Sequence, residues 1–304
     1  MSAAPALLLS RSAFGRLTNH GPALIGLVLL VLLVIAAASA PLIEHAFGID
    51  ATSIDLLAML SGPSAAHPLG TDEVGRDLLS RLLRGGQVSL GVGLLTALVA
   101  AAIGTVIGVA AGYRGGLLDA VLMRFTDGII ALPLLPLLIV LGALDPAKLG
   151  LNPDIFKSNF AALARIVIII ALVGWTTVAR LVRAATLTIR VQDYVRSAEA
   201  MGAPPLRVMV RHILPNVVSP LIVATTLSVG NIILLESALS FLGLGVQPPI
   251  PSWGNMLTAA LEQMSSNPSL AMWPGVMIFV TVLAFNLVGD GLQDALDPRG
   301  TRRN

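Results

Sequence analysis

The stretch GGQVSLGVGLLTALVAAAIGTVIGVAAGY, residues 85–113, contains no charged side chain. About 20 mainly apolar residues are enough for a helix to cross the hydrocarbon core of a bilayer, and this run is longer than that. Lipid offers no hydrogen-bond partner to the backbone, so a single crossing segment must satisfy its N–H and C=O groups as a helix. The stretch therefore predicts a transmembrane helix.

Other parts of the chain repeat this pattern. Uncharged runs also occur at 17–43, 128–144, 166–179, 212–235 and 263–289. Allowing for residues that can extend the two shorter runs, we predict helices at roughly 22–43, 88–112, 125–144, 160–181, 216–238 and 271–292. Charged residues make up only 12% of the chain, against about 25% in soluble domains, and the mean hydropathy is +0.86. The fold class is thus predicted to be all-α, a polytopic membrane protein with about six transmembrane helices.

Several kinds of chemistry are excluded by composition and motif. The 19 basic and 17 acidic residues leave a net charge of only +2, which does not favour nucleic acid, and the absence of cysteine rules out thiolate chemistry. The two lysines, Lys148 and Lys157, follow Ala147 and Phe156, so the Gly-Lys-Ser/Thr of a phosphate-binding loop is missing. We expect a chain that is not an enzyme and that binds no metal or cofactor of its own.

Arginine placement predicts the orientation in the membrane. With a cytoplasmic N-terminus, 13 of the 19 basic residues fall in cytoplasmic segments, as the positive-inside rule requires. They are Arg11, Arg16, Arg114, Arg124, Arg180, Arg183, Arg190, Arg196, Arg207, Arg211, Arg299, Arg302 and Arg303. Both termini and the segment between the fourth and fifth helices are therefore expected in the cytoplasm.

That fourth-to-fifth segment reads DYVRSAEAMGAPPLRVMVRHILPN, residues 193–216. Nothing breaks a helix before Met201, after which Gly202 supplies a C-cap and Pro205 can open a second helical turn. Ala198 and Gly202, four residues apart, share a face on which backbones can approach closely. Two interpretations remain on pattern alone: a basic loop held at the surface by anionic lipid, or a rigid helix offered to a cytoplasmic partner.

A resemblance carried by these residues favours the partner helix. The run Tyr194-Val195-Arg196-Ser197-Ala198-Glu199-Ala200-Met201-Gly202, followed by His212-Ile213-Leu214-Pro215-Asn216, resembles the EAA signature of ABC importer permeases. In that family the segment is the coupling helix, which sits in a groove of the ATPase subunit. The sequence departs from the signature at Arg196, where the family has a glutamate, so Glu199 is not given that residue's role. The resemblance implies ATPase-docking residues Tyr194, Arg196, Ser197, Ala198, Glu199, Ala200, Met201, Gly202 and Leu206.

Further stretches resemble one branch of this family, the dipeptide, oligopeptide and nickel importers, in the second permease of the pair. They are residues 67–93, 112–133, 236–257 and 290–299, and they follow the expected order. The resemblance implies a type I ABC importer permease fold in the bacterial inner membrane. It also implies a homologous second permease, two cytoplasmic ATPases that bind ATP and Mg²⁺, and an extracytoplasmic solute-binding protein. The external connection at 145–160 is longer than the family pattern.

The chain is expected to divide near residue 84. Residues 1–84 would hold the cytoplasmic N-terminus, the first span, and an external loop, and 85–304 the permease core with the coupling helix at about 193–212. Within 76–84 the leucines fall on one helical face and the charged residues on the other. This pattern predicts an interfacial elbow helix leading into the second span.

Three polar residues are candidates for the solute path: Arg165, Asn231 and Glu236. An ionisable group at membrane depth is a functional candidate. For Glu236 we nevertheless favour a structural role, pinning the turn at 241–245, and the same preference applies to Arg165. A proton-coupled secondary transporter, which would need Glu236, and a noncatalytic membrane scaffold remain as alternatives.

Small residues and prolines predict how the spans pack. Gly104 and Gly108 are spaced for a close helix contact. Pro133 and Pro136 in the third predicted span, and Pro215 and Pro220 at the start of the fifth, each remove a backbone donor and favour kinks.

Overall fold

The computed structural model describes residues 20–144 and 158–296, in which the regular structure is helical. The helices are α1 Gly21–Ala38, α2 Ala40–Phe47, α3 Leu78–Arg114, α4 Gly116–Ala131, α5 Leu134–Ala143, α6 Asn159–Ile189, α7 Asp193–Ala200, α8 Pro205–Val208, α9 Leu214–Phe241, α10 Trp253–Leu261 and α11 Ser269–Leu296. In these described parts, α1, α3, α6, α8 with α9, and α11 are long and apolar enough to cross a membrane. The pair α4 and α5 adds a sixth crossing if it counts as one span. The predicted all-α membrane fold is confirmed.

The third predicted span is broken. Helices α4 and α5 meet at an angle of 87°. Pro133 disfavours the helical conformation in the residue before it, and Leu132 is extended with ψ 139°. The predicted kink at Pro133 is confirmed, and it is sharp enough to make two helices from what the sequence indicated as one.

Glycines let α3 and α6 approach closely. A Cβ atom on Gly104 would lie 2.7 Å from the Trp175 carbonyl oxygen, and one on Gly108 would lie 2.6 Å from that of Ala179. Both distances are too short for any side chain, so this backbone approach requires glycine. The predicted contact at Gly104 and Gly108 is confirmed, and Gly112 extends it by one more turn against Thr186.

The first and last described spans pack together. A Cβ on Gly26 in α1 would lie 2.8 Å from the Ala284 carbonyl oxygen in α11. His20 precedes α1, where its Nδ1 accepts a hydrogen bond from the Ala23 N–H, and its Nε2 lies 3.3 Å from an Asp294 carboxylate oxygen. The cytoplasmic ends predicted for α1 and α11 are thus joined by a polar contact as well.

The elbow helix expected at 76–84 is not a separate element. Helix α3 begins at Leu78, where the Asp77 carboxylate caps it by accepting the Ser80 N–H at 2.8 Å, and it runs unbroken to Arg114. On its charged face, Arg81 is only 2% exposed and lies 3.3 Å from Asp72. The preceding loop supplies the counter-charge of Arg81, and Glu44 of α2 supplies that of Arg84. The division of the chain near residue 84 stays a prediction.

Candidate functional site

Helix α7 ends where the sequence predicts. Gly202 adopts φ +83°, a left-handed conformation that glycine adopts without strain. The Gly202 N–H donates to the Glu199 carbonyl at 2.9 Å, and the Ala203 N–H donates to the Ala198 carbonyl at 3.1 Å. This pair of bonds is the Schellman arrangement that closes a helix C-terminus. Pro205 then occupies the first turn of α8, so the segment is two short helices with a fixed corner.

One side of α7 belongs to the chain's own core. Val195 is fully buried and Ala198 is 4% exposed, both on the side of α7 that faces the interior. Val195 packs in a cluster with Val178 and Val182 of α6 and Val217 of α9. Assigning Ala198 to a docking surface is therefore wrong, because its methyl group is covered by its own molecule. Gly202 has open space around it, so backbone conformation rather than close approach accounts for the glycine.

The other side of this segment is unusually apolar for an exposed surface. Five large apolar side chains between residues 191 and 210 are at least two-fifths exposed: Val191, Tyr194, Met201, Leu206 and Val210. We call these five residues the apolar patch. Tyr194, Met201 and Leu206 were predicted docking residues, whereas Val191 and Val210 were missed because their exposure depends on how α7 sits on the bundle. Partial burial raises the pKa of the Tyr194 phenol, so this side chain is uncharged at neutral pH.

Charged and small residues surround the apolar patch. Arg196, Ser197, Glu199 and Ala200 are exposed, as a docking role requires. Glu199 also accepts a hydrogen bond of 2.8 Å from the Tyr113 hydroxyl at the end of α3. The Arg190 guanidinium reaches the Gly112 carbonyl at 2.9 Å. Both contacts tie the segment around α7 to α3, and neither was predictable without knowing that these elements meet.

A cavity of about 480 Å³ lies between the broken pair α4–α5, α6 and α9. Its polar lining consists of Thr176 and Thr177 from α6 and Ser228 and Asn231 from α9, and the remaining described lining residues are apolar or glycine. The Thr176 and Ser228 hydroxyls already donate to carbonyls of their own helices, at 2.9 and 2.7 Å. The cavity wall is thus mildly polar, and its described side chains carry no charge.

Of the three predicted path residues, only Asn231 lines this cavity. Arg165 instead donates from one guanidinium nitrogen to the Gly142 carbonyl at 2.6 Å and the Leu144 carbonyl at 2.7 Å. These carbonyls belong to the C-terminal end of α5, where a cation is favoured by the helix dipole. Arg165 therefore holds the end of α5.

Glu236 is fully buried in α9 and pins a turn. Its carboxylate accepts hydrogen bonds from Ser240 at 2.7 Å and from Ser89 of α3 at 3.1 Å. Ser240 Oγ in turn accepts the Val246 N–H at 2.9 Å, which fixes the chain after α9. Buried carboxylates are costly unless they are hydrogen-bonded in this way. These contacts fit the preferred structural role of Glu236, which stays a prediction, and Glu236 is not among the described residues that line the cavity.

An ion pair that sequence reasoning did not single out lies beside the cavity. Asp127 of α4 contacts Arg180 of α6, and their side chains are 50% and 48% exposed. The predicted span at 125–144 includes Asp127 without giving it a role, and Arg180 was used only for orientation. Helix α6 continues to Ile189, so Arg180 lies inside this helix and not at its predicted cytoplasmic end.

Comparison with known proteins agrees with the sequence resemblance. Residues 104–302 match the family described as the binding-protein-dependent transport system inner membrane component. A glutathione transport system permease protein, GsiD, of Pectobacterium atrosepticum is 41% identical over 220 residues, covering 72% of this chain and 68% of that protein. Proteins of the same name from Escherichia coli O157:H7 and Shigella dysenteriae serotype 1 are 40% and 41% identical over 259 residues, covering 85% of this chain and 74% of each of them. The family match includes α7, the apolar patch and every cavity-lining residue.

Proposed function

Because the chain belongs to the binding-protein-dependent transport system inner membrane components, among ABC importer permeases of the peptide, oligopeptide and nickel branch, we propose that it forms half of a path for peptide-like solutes. The observation that supports this most directly is the cavity between α4–α5, α6 and α9. It is bounded by spans, and Asn231 adds a carboxamide that can both donate to and accept from a peptide group.

Glutathione is the specific solute we propose first. The relatives described above carry the name of glutathione transport system permeases, and glutathione is itself a small peptide. Other short peptides share its backbone amides and charged termini. The described wall of the cavity carries no charged side chain that would hold such solutes tightly, so it suits a path through which they must pass.

The driving force would come from separate subunits. Two cytoplasmic ATPases would bind ATP and Mg²⁺, and the apolar patch on α7 and α8 would receive their motion. Burying exposed apolar area is the general source of affinity in such contacts. The Tyr113–Glu199 and Arg190–Gly112 contacts would pass that motion to α3, while α8 continues into α9 through a π-helical turn at Met209–Ile213. A homologous second permease and an extracytoplasmic binding protein would complete the importer in the inner membrane.

The rival function of a proton-coupled transporter loses the residue on which it was based. That mechanism required Glu236 as the carboxylate in the path, and Glu236 is buried among serine hydroxyls away from the cavity.

The deciding experiment is uptake by the complete importer in proteoliposomes. The chain is purified with its second permease and two ATPases, and radiolabelled glutathione is supplied with the binding protein. We expect glutathione to accumulate in the vesicle lumen only when ATP is enclosed there, on the side of the membrane that carries the ATPases. This accumulation should persist in the presence of a protonophore. Uptake that stops with the protonophore and continues without ATP would contradict the proposal, as would an assembled particle that moves no peptide.

A further inference from the structure

Two ion pairs join α4 to α6, and they differ in environment. Asp119 and Arg183 form the first, at 2.5 and 2.6 Å, with side chains that are 15% and 33% exposed. Asp127 and Arg180 form the second, and about half of each side chain is open. The first pair is therefore part of the packing between the two helices, whereas the second pair offers both charges to whatever lies beside it.

The exposed pair, Asp127 and Arg180, lies at the end of the cavity nearer to α7. Arg180 follows Thr176 by four residues and Thr177 by three, so the three side chains share one face of α6. Asp127 precedes Ile130, another lining residue, by three residues of α4 and shares its face. Moving from the cavity along α6 toward α7, the pair is the first charged feature after the uncharged wall.

Stability alone does not account for these charges. A half-exposed ion pair contributes little to stability, whereas charged groups beside a transmembrane pathway are typical of a route for ions or solutes. The described lining of the cavity has no charge of its own, so a charged group of a solute would find its first counter-charges here.

We propose that Asp127 and Arg180 bind the charged groups of the solute as it leaves the cavity, Asp127 the ammonium and Arg180 the carboxylate. This rests on the proposed function, in which the solute is a small peptide and therefore carries both groups. When the pair opens, each side chain exchanges one partner for another of the same sign, so no charge is left uncompensated. The planar guanidinium of Arg180 suits a carboxylate because it can donate two parallel hydrogen bonds.

The test compares uptake of a basic and an acidic dipeptide, Ala-Lys and Ala-Glu, by the complete importer in proteoliposomes. Asp127→Asn is expected to lower the ratio of basic to acidic uptake, and Arg180→Gln to raise it, each by about twofold to fivefold. Dividing each ratio by that of the wild type cancels the preference of the binding protein, which is unchanged. Opposite shifts from the two partners of one ion pair are a signature that a purely structural contact would not give.

The less exposed pair, Asp119 and Arg183, provides a matched control. Asp119→Asn and Arg183→Gln remove the same charges from the same two helices, away from the cavity, and should leave the uptake ratio at the wild-type value. Ratios that stay unchanged in Asp127→Asn and Arg180→Gln, or that shift in the same direction, would overturn the proposal.

A double variant keeps the test decisive if a single unpaired charge prevents assembly. Asp127→Asn with Arg180→Gln leaves no lone charge, and it should import zwitterionic Ala-Ala about twofold to fivefold more slowly than the wild type. Wild-type uptake by this variant would also overturn the proposal. If the wild-type importer moves none of the three dipeptides, it is the proposed function that fails, which is a separate and visible result.

Discussion

At the scale of single residues, local backbone signals were predictable and side-chain directions were not. Gly202 and Pro205 mark the corner between α7 and α8 because their effects arise within a few residues of the chain. Ala198 has the same local sequence context, yet it is buried on the side of α7 where Val195 packs against valines of α6 and α9. No pattern within 193–216 contains that information. The helix was therefore predicted correctly, whereas Ala198 was assigned to the exposed side.

Charged residues near the outer ends of the spans show the same limit. Glu44 of α2 accepts three hydrogen bonds from Arg84 of α3, at 3.0, 3.1 and 2.5 Å, across 40 residues of sequence. The hydrogen bond from Arg84 is the main reason that the pKa of the Glu44 carboxyl is lowered. Arg84 was predicted only as part of a polar face, since nothing local indicates its partner.

This pair predicts a pH-dependent contribution to stability. A carboxyl whose pKa is lower in the folded state stabilises the fold at pH values above its unfolded pKa, and that contribution disappears as the pH falls through the folded pKa. We expect Glu44→Gln to lower the melting temperature of the detergent-purified chain at pH 7. The difference from the wild type should shrink toward zero as the pH is lowered past about 4.

The control is Glu262→Gln, because Glu262 is exposed at the end of α10 and has no ion-pair partner among the described residues. It should melt like the wild type across the same pH range. A Glu44→Gln difference that is absent at pH 7, or that grows on acidification, would contradict the assignment of the Glu44–Arg84 contact.

At the scale of elements, hydrophobic length predicted the spans, and breaks within them required the structure. The runs at 85–113 and 263–289 became α3 and α11 because one apolar segment is sufficient to specify a membrane helix. The run at 128–144 has the same composition, yet it contains the break at Pro133 that separates α4 from α5. Proline indicates a kink, but packing against neighbouring spans decides whether it bends the helix slightly or by 87°.

The segment α7–α8 carries the prediction for ATPase docking. Met201 and Leu206 are 81% and 69% exposed, so replacing either by aspartate leaves the chain's own packing intact while placing a charge in the proposed contact. We expect Met201→Asp and Leu206→Asp each to weaken capture of the purified ATPase pair by about tenfold, the loss typical of a central apolar contact. Capture is measured by equilibrium binding to the detergent-solubilised permease pair.

Two further variants separate docking from folding. Leu57→Asp makes the same change at a fully exposed leucine outside this segment, and it should bind the ATPase like the wild type. Ala198→Arg places a charge at a position that is only 4% exposed, so it should reduce the yield of folded chain before any docking is measured. Wild-type capture by both Met201→Asp and Leu206→Asp would show that the ATPases bind elsewhere.

At the scale of the whole molecule, the cavity is the feature that sequence could not assemble. Its wall comes from residues 129–134, 170–177 and 228–235, three stretches whose proximity depends on how the spans are arranged. Composition predicted that much of the chain contacts lipid, and arginine placement predicted which side faces the cytoplasm. Both predictions are possible because composition and charge placement are summed over the whole chain. Which polar residues share a wall depends on contacts between distant segments: the sequence named Asn231, which lines the cavity, together with Arg165 and Glu236, which do not.

Orientation is the whole-molecule prediction on which docking depends, because the apolar patch can meet cytoplasmic ATPases only if α7 faces the cytoplasm. The chain has no cysteine, so Met201→Cys or Leu57→Cys introduces a single thiol at a well-exposed position. A membrane-impermeant maleimide should modify the Met201→Cys variant in inside-out vesicles only and the Leu57→Cys variant in right-side-out vesicles only. Unsealed membranes, in which both variants should react, verify that each thiol is accessible. The reverse pattern would place α7 outside the cell, where no ATP-driven subunit could reach it.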